Sequence, residues 1–412
     1  MRFFSFVFLF TAGEFCFATT GASLAIDRRD IYTTFSSAQW SANTTISQPS
    51  SRNFTASTER WSVFDPPTFS VAISPATERD VAQAVRLAIN NSISFLATGG
   101  RHGYTQTLKA LQNGLAIDLS QLDEVKIDKS AATLTIGGAV RFGDIYNPVY
   151  NAGFELQIGT ASCPGMVGVT LGAGIGPWSG VHGLVLDALL SLRVVTASSE
   201  IIEVSETSNS DLFWAFRGAG ANFGIVISAT YRLQPQINEG QILAADLIIP
   251  AEQNSSYFQL LQAYNESLPR NLSLSSFMTY NATISAPQIS ASWVWIGEEA
   301  AGYEAFAPVL ALKDVISNIQ VYQWNEIVEN VAGGANTYEC LDGAFHSVYN
   351  ANARNISAST YETVFKKFSG FCEQYPDGRG SVVEIVFFPN QAVLAVPDSA
   401  TAYPWRDSKA YL

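Results

Sequence analysis

The stretch that decides the fold reads Phe95-Leu96-Ala97-Thr98-Gly99-Gly100-Arg101-His102-Gly103-Tyr104. The apolar run at residues 93–97 predicts a short buried strand that ends at the paired glycines. Glycine has no Cβ, so the backbone here can bend tightly and approach a ligand closely. A cation, Arg101, and an imidazole, His102, follow directly at the lip of this turn. The pattern indicates one half of a site for a bound diphosphate and a reactive ring.

A second glycine-rich segment lies at residues 159–183. So many glycines among apolar residues are unlike an ordinary helix or strand. We expect their backbone N–H groups to turn toward an anion or a flat ring system. The alternative is a loop that only links core strands, because tight turns alone explain many glycines. These glycines are Gly159, Gly165, Gly168, Gly172, Gly174, Gly176, Gly180 and Gly183.

Composition excludes several classes of function. The 412 residues, 47% of them hydrophobic, predict two or three domains with large cores. Charged residues make up only 14% and the net charge is −13, so neither a nucleic acid nor an anionic membrane surface is an expected partner. His102, His182 and His346 lack metal-ligand spacing, so no zinc or non-haem iron site is expected. No later run of about twenty apolar residues predicts a membrane span.

The N-terminus has the features of a signal peptide over residues 1–25. Arg2 is basic, residues 3–10 are apolar, and small residues end the segment near 18 or 25. The alternative is a buried N-terminal helix. We expect a secreted, N-glycosylated protein, because N-x-[ST] sequons are frequent. They lie at Asn43, Asn53, Asn90, Asn254, Asn265, Asn271, Asn281 and Asn355.

Three cysteines follow the predicted signal peptide. In an oxidising compartment, three thiols predict one disulfide and one cysteine with another role. Cys340 and Cys372 lie in the same C-terminal region, so we expect them to pair and to leave Cys163 over. The alternative for Cys163 is a buried small hydrophobe.

The chain is predicted to be an α+β protein with three regions after the signal peptide. Residues 26–60 are rich in Ser, Thr and Gln and predict an extended N-terminal arm. Residues 61–235 predict two subdomains, about 61–130 and 131–235, of alternating short strands and helices. Residues 236–412 predict a second domain, an antiparallel sheet backed by helices. A pocket is expected between the two domains.

The run Gly218-Ala219-Gly220-Ala221-Asn222-Phe223-Gly224 has the spacing of a dinucleotide-binding fingerprint. However, it follows a predicted helix at 211–217 and leads into a predicted strand at 225–233. A Rossmann loop has the reverse context, because it follows a strand and opens a helix. An NAD-type Rossmann fold is therefore the weaker interpretation.

Residues from about 62 to 235 resemble the FAD-binding domain of the vanillyl-alcohol-oxidase superfamily, in its berberine-bridge-enzyme-like branch. Six motifs in this order make the resemblance specific, and a shorter match occurs at Tyr403-Pro-Trp-Arg406. The six motifs are Thr98-Gly-Gly-Arg-His102-Gly-Tyr104, Cys163-Pro-Gly-Met-Val167-Gly168, Leu171-Gly-Ala-Gly-Ile-Gly176, Gly183-Leu-Val-Leu-Asp187, Asp211-Leu-Phe-Trp-Ala-Phe-Arg-Gly218 and Asn222-Phe-Gly-Ile-Val226.

The resemblance implies FAD as the cofactor. His102 falls where such enzymes bond the flavin 8α-methyl group through an imidazole nitrogen. Cys163 lies near the second, sulfur-linked attachment of bicovalent members, but its gap to Val167 is one residue longer. Single attachment is therefore favoured, and double attachment stays open. The other flavin contacts implied are Thr98, Gly99, Gly100, Arg101, Gly103, Tyr104, Val167, Gly168, Gly172, Gly174, Gly176, Gly224, Ile225 and Val226.

The resemblance also implies that a C-terminal closing segment is missing, so that the substrate domain at 236–412 is truncated. Relatives carry the catalytic base and a tyrosine over the flavin in that segment. The base of this chain is therefore unknown from the sequence. Glu384, in the apolar run at 382–386, is the candidate.

The expected function is oxidation of an alcohol or activated C–H group of a small molecule, either a secondary metabolite or a carbohydrate. Hydride would pass to covalently held FAD, and dioxygen is the expected electron acceptor of a monomeric enzyme. Two alternatives stay open. A non-catalytic flavin-binding remnant would be yellow and inert. A secreted carbohydrate hydrolase would be colourless and would leave the glycine clusters unexplained.

Overall fold

The computed structural model describes residues 28–412, so the predicted signal peptide lies outside the described residues. Within them the chain is an α+β protein, as predicted, with sheets of four, five and seven strands and helices packed on their faces. None of the helices in this part of the chain is both long and apolar enough to span a bilayer.

The first subdomain is a four-stranded sheet with helices. Its elements are α1 (Arg28–Ser36), β1 (Thr45–Ser47), α2 (Arg52–Thr58), β2 (Phe69–Ser74), α3 (Glu78–Asn90), β3 (Phe95–Thr98) and β4 (Gly114–Asp118). The strand order is β1-β2-β4-β3, with β4 parallel to β2 and β3. Thr77 caps the N-terminus of α3, because its hydroxyl accepts the N–H of Asp80 and satisfies an otherwise unpaired helix donor. The predicted βαβ beginning is confirmed.

The N-terminal residues differ from the expected extended arm. β1 pairs antiparallel with β2, so the described part of residues 26–60 belongs to the first sheet. α1 buries Ile31 and Phe35 in the core of that subdomain. These two apolar residues lie four positions apart, on one helical face. A stripe of two residues within a Ser- and Thr-rich segment is too short to predict a helix from periodicity.

The second subdomain is a five-stranded antiparallel sheet with order β5-β6-β10-β8-β9. The strands of this sheet are β5 (Val125–Asp128), β6 (Thr133–Gly137), β8 (Leu189–Val195), β9 (Ile201–Ser205) and β10 (Ile225–Arg232). The short strand β7 (Phe154–Glu155) lies outside it, and the helices of the subdomain are α4 (Phe142–Asn151), α5 (Met166–Gly172), α6 (Ser179–His182) and α7 (Ser210–Ala219). The fingerprint-like glycines run from the last turn of α7, which contains Gly218, to Gly224, directly before β10. A helix therefore precedes them and a strand follows, which is not a Rossmann arrangement.

The third sheet contains seven antiparallel strands in the order β15-β12-β14-β13-β17-β18-β16. The elements of this region are β11 (Gln234–Pro235, paired with β7), β12 (Gln241–Ile249), α8 (Asn254–Ala263), β13 (Leu272–Asn281), β14 (Ala286–Ile296), α9 (Glu299–Leu310), β15 (Ile316–Gln323), α10 (Ile327–Asn330), α11 (Asn336–Glu339), β16 (Asn352–Ala353), α12 (Ala358–Gln374), β17 (Val383–Phe387), α13 (Gln391–Leu394) and β18 (Ala410–Tyr411). The predicted antiparallel sheet backed by helices is present.

Alternation along these strands divides the third sheet into two faces. Leu243, Leu274 and Trp293 share one core with apolar residues of α8, α9 and α12. Ala244 and Val294, one position further along their strands, join the core of the second subdomain instead. The second face of the sheet therefore lies against residues 61–235, which we call the glycine-rich half. A pocket was expected between these two layers.

Candidate active site

The turn after β3 meets the second glycine-rich segment directly. A Cβ built on Gly100 would lie 2.2 Å from the backbone nitrogen of Gly165, and one built on Gly99 would lie 2.4 Å from the carbonyl oxygen of Gly138. A Cβ atom would clash at either position, so only glycine fits at residues 99 and 100. The two segments predicted to serve one ligand therefore lie side by side, although they are far apart in the sequence.

The predicted contacts Gly224, Ile225 and Val226 lie at the start of β10 and approach the turn after β3. Gly138 donates its N–H to the Ile227 carbonyl at 3.0 Å, and a Cβ built on Gly138 would lie 2.5 Å from the Val226 carbonyl oxygen. Val226 is thus linked to Gly99 through a single residue. Gly224 has a φ of 155°, which favours glycine.

The side chains of Val167, Ile225 and Val226 point into apolar cores. Only their backbone groups are available to a ligand. Conversely, Gly103 and Tyr104 are exposed at the end of the turn, and the ring centroid of Tyr104 lies 5.8 Å from that of Trp61. The predicted contacts are therefore of two kinds: residues that offer only backbone groups, and the exposed residues Gly103 and Tyr104 at the end of the turn.

The second glycine-rich segment is partly helical, contrary to expectation. α5 contains Gly168 and Gly172, and both are exposed with open space where a Cβ would lie. The buried side chains of Met166 and Thr170 hold one face of this helix in the core. Gly176 is instead buried, and a Cβ there would lie 1.9 Å from the Ile158 carbonyl oxygen.

Gly174 is also buried, with a φ of 81° and no room for a Cβ beside Val185. For Gly174 and Gly176, close packing between backbone segments explains the glycines. Gly168 and Gly172 remain open toward solvent and accessible to a ligand.

His102 lies against Trp61, with ring centroids 4.9 Å apart. Its Nε2 atom is buried and finds no hydrogen-bond partner among residues 28–412. Burial, followed by the charge of Arg141, lowers the pKa of His102 to about 4. The imidazole is therefore neutral near pH 7, the state in which its nitrogen is nucleophilic. An unpartnered, neutral imidazole nitrogen fits a ligand bonded at this atom.

Two arginine side chains, those of Arg60 and Arg101, lie at residues 98–104. Arg60 donates from Nη2 to the Gly103 carbonyl at 2.6 Å, and Arg101 pairs with buried Asp118 at 3.3 Å. In the described part of the chain, the buried Nη1 of Arg60 and Nε of Arg101 have no partner. Free guanidinium donors in a protein of net charge −13 suit a diphosphate. Sequence reasoning missed Arg60, because no motif marks it.

The cysteines pair differently from the prediction. Cys163 forms a disulfide with Cys340, and Cys372 is free and buried, so the predicted Cys340–Cys372 bond is wrong. The prediction relied on closeness in sequence, but Cys372 on α12 faces the core of the third sheet. Cys340 lies where the chain returns to the first subdomain, because Gly343 donates its N–H to the Arg60 carbonyl. The disulfide occupies the sulfur of Cys163 and leaves it no thiol for a second flavin bond.

The disulfide anchors residues 336–346, which we call the strap. The indole Nε1 of Trp61 donates to the Glu339 carbonyl at 2.6 Å. The Trp61 ring also stacks on His346, with centroids 3.8 Å apart. One tryptophan therefore contacts both the strap and His102.

A pocket lies between the strap, the glycine-rich half and the second face of the third sheet. The glycine-rich half contributes Gly159, Thr160, Pro177 and Trp178, and α10 and the strap contribute Ile327, Val328, Asn336 and Glu339. From the sheet come Ser273, Ser275, Phe277, Ser292 and Val294. The expected pocket between the two layers is thus present.

Glu384 lies beside this pocket. It pairs with the pocket residue Phe277 across β17 and β13, and it alternates with Ile385, which faces the opposite core. Glu384 is an exposed residue, but protein atoms crowd its carboxyl group and partly desolvate it. Desolvation, followed by the charge of Glu339, raises the pKa of Glu384 to about 7, and burial raises the pKa of Glu339. Sequence reasoning missed Glu339, which no motif contains.

Two of the resemblance motifs meet in a buried ion pair. Arg406 donates to both carboxylate oxygens of Asp187, at 3.1 and 2.8 Å, and also to Thr401. Asp187 in turn accepts the N–H of Leu184. Leu184 packs beside Ala173, next to Gly174. The C-terminal motif therefore supports the backbone of the second glycine-rich segment.

Known proteins are similar to this chain along most of its length. A family described as "FAD binding domain" matches residues 69–205. The FAD-linked oxidoreductase fogF of Aspergillus ruber is 43% identical over 372 residues, which cover 90% of this chain and 75% of the relative. The FAD-linked oxidoreductase OXR1 of Pyricularia oryzae is 44% identical over 355 residues, 86% of this chain and 70% of the relative.

Solved structures show the same fold. A chitooligosaccharide oxidase superposes with a TM-score of 0.75 at 23% identity, over 93% of this chain and 81% of the other. The glucooligosaccharide oxidase of Acremonium strictum, whose FAD is 6-S-cysteinyl and 8α-N1-histidyl bonded, superposes with a TM-score of 0.75 at 22% identity, over 90% and 78%. The chain belongs to the FAD-linked oxidoreductases, and its cofactor is FAD.

Proposed function

We propose that this enzyme oxidises an alcohol or activated C–H group of a small molecule while FAD is bonded to His102 alone, with dioxygen as the final electron acceptor. Bound FAD supplies a hydride acceptor that dioxygen can regenerate. The chain's own residues would hold the cofactor, orient the substrate, exclude water and take up the substrate proton.

The observation that carries the proposal is the environment of His102. Its imidazole is neutral, its Nε2 atom is buried without a partner in the described structure, and it follows directly after the turn in which Gly99 contacts Gly138 and Gly100 contacts Gly165. A polar atom buried without a partner costs stability, so a bond formed there removes a penalty. Arg60 and Arg101 provide guanidinium donors for the diphosphate beside it.

Glu384 is the proposed proton acceptor. A base works best when its pKa lies near the working pH, and the pKa of this carboxyl group is about 7. Its register partner Phe277 lines the pocket, so a substrate hydroxyl placed there lies beside the carboxylate. Removal of the hydroxyl proton by Glu384 would accompany loss of a hydride from the carbon that bears the hydroxyl group.

Secretion remains part of the proposal and rests on the N-terminal sequence. The sequon asparagines Asn43, Asn53, Asn90 and Asn355 are exposed and accessible for N-glycosylation. Asn265 is less suitable, because its side chain accepts the N–H of Ile356 and donates to its carbonyl. Peptide mass mapping of the secreted protein tests both the cleavage site and these positions.

The oxidation is tested with purified full-length protein. We expect a yellow protein whose flavin absorbance bleaches when an alcohol substrate is added without oxygen. Admission of air should restore the absorbance and release one hydrogen peroxide per flavin reduced. Flavin that no alcohol reduces would contradict the proposal and favour a non-catalytic flavoprotein. Bleaching without peroxide on reoxidation would replace dioxygen with another acceptor.

A further inference from the structure

The pocket has predominantly apolar walls. Phe277 and Val294 come from the sheet, Val328 and Val331 from the region of α10, and Phe388 from the chain after β17. Several of its polar side chains are already engaged. Ser273 donates to the Pro177 carbonyl at 2.5 Å, and the Asn336 amide is bonded to Ser162.

Two buried polar atoms of the lining have no partner in the described structure. They are the Ser292 hydroxyl and the Nε1–H of Trp178, whose side chains are 4% and 0% exposed. Ser292 lies in register between Asp246 and Ser275, on the face of the sheet that looks toward the glycine-rich half. An indole N–H can only donate, so its partner must be an acceptor oxygen.

We infer that this pocket binds an alcohol on an aliphatic or aromatic body with one further acceptor oxygen, such as an ether or carbonyl, and not a saccharide. This inference rests on the proposed oxidation at Glu384 and specifies its substrate class. The reacting hydroxyl lies beside Glu384, the apolar body between the pocket walls, and the second oxygen at Ser292 and Trp178.

The rejection of saccharides follows from desolvation. A sugar carries a hydroxyl on nearly every carbon, and a buried hydroxyl without a hydrogen bond is unfavourable. The walls formed by Phe277, Val294 and Phe388 offer such hydroxyls no partner through their side chains. Burial of an apolar substrate body against the same walls is favourable, because it removes apolar surface from water.

The test measures binding of three probes to the FAD-loaded enzyme by calorimetry: 3-phenylpropan-1-ol, its 4-methoxy derivative and cellobiose. We expect both phenylpropanols to bind at least about tenfold more tightly than cellobiose. The methoxy oxygen should add about fivefold, the order expected for one hydrogen bond to a buried donor. Tighter binding of cellobiose would overturn the inference.

Two serines on the same strand give a matched comparison. Ser292→Ala should abolish the gain from the methoxy oxygen, whereas Ser290→Ala should retain it, because Ser290 is outside the pocket lining. Trp178→Phe is a second variant that removes a donor, with thermal unfolding as the check on folding. A methoxy gain that survives in both Ser292→Ala and Trp178→Phe would overturn the assignment of the second oxygen.

Flavin reduction by the same probes separates this inference from the proposed function. If the predicted order of binding holds and neither phenylpropanol reduces the flavin, the pocket assignment stands and the proposed oxidation fails. If cellobiose binds more tightly and reduces the flavin, the oxidation stands and the pocket assignment fails.

Discussion

At the scale of single residues, one physical cause prepares two side chains for opposite roles. Desolvation by surrounding protein atoms disfavours the charged form of any titratable group. It therefore lowers the pKa of His102, whose charged form is the acid, and raises that of Glu384, whose charged form is the base. His102 is therefore neutral near pH 7, as its proposed bond to FAD requires, and Glu384 exchanges its proton near neutral pH, as its proposed role as base requires.

The pH dependence of catalysis should report Glu384. Because only the carboxylate can accept the substrate proton, the turnover rate should rise with pH, tenfold per unit, up to about pH 7 and then level off. Glu384→Gln should lower turnover by about 10²–10⁴-fold. Steady-state rates from pH 5 to 9 provide the check. A normal pH profile with near-normal turnover in Glu384→Gln would show that another group is the base.

Glu339 should affect the pH at which the rate levels off, although it is not the proposed base. Its negative charge raises the pKa of Glu384, so Glu339→Gln should move the inflection of the rate to lower pH. The control is Glu252→Gln, an exposed carboxylate before α8, which should leave the inflection in place. An unchanged inflection in Glu339→Gln would mean that the two carboxylates do not interact.

At the scale of elements, the strap depends on its covalent anchor. The Cys163–Cys340 bond closes a sequence separation of 177 residues. Cross-links of this kind stabilise largely by restricting the unfolded chain, so Cys340→Ser should lower the free energy of unfolding by about 2–5 kcal/mol. Denaturant titration measures the loss. Peptide mapping without reductant should recover the two cysteines in one linked pair, and a Cys340–Cys372 peptide would contradict the structure.

The ion pair between Arg406 and Asp187 should matter more than ion pairs on the surface. Arg406→Met leaves Asp187 buried without its partner, which should cost about 3–5 kcal/mol of unfolding free energy. The exposed pair of Arg354 and Asp407 is the matched control, and Arg354→Met should cost less than about 1 kcal/mol. Equal losses in the two variants would contradict the role given to burial.

At the scale of the whole molecule, local patterns predicted the elements and the meeting of the glycine segments. The Thr77 cap and the alternation over 272–280 depend on neighbours in sequence, and both structures formed as predicted. The disulfide, the strap and Glu339 depend on contacts between residues far apart in the chain, which periodicity does not record. α1 escaped prediction because two apolar residues make too weak a helical pattern.

The measurement that tests the account most directly is the location of FAD on the polypeptide. Proteolysis of the purified protein followed by peptide mass analysis should find FAD bonded to the His102 peptide, with Cys163 linked to Cys340 and carrying no flavin. His102→Ala should lose the bond, whereas His346→Ala, which removes the other histidine stacked on Trp61, should keep it. An unmodified His102 peptide from yellow protein, or FAD on Cys163, would contradict the account.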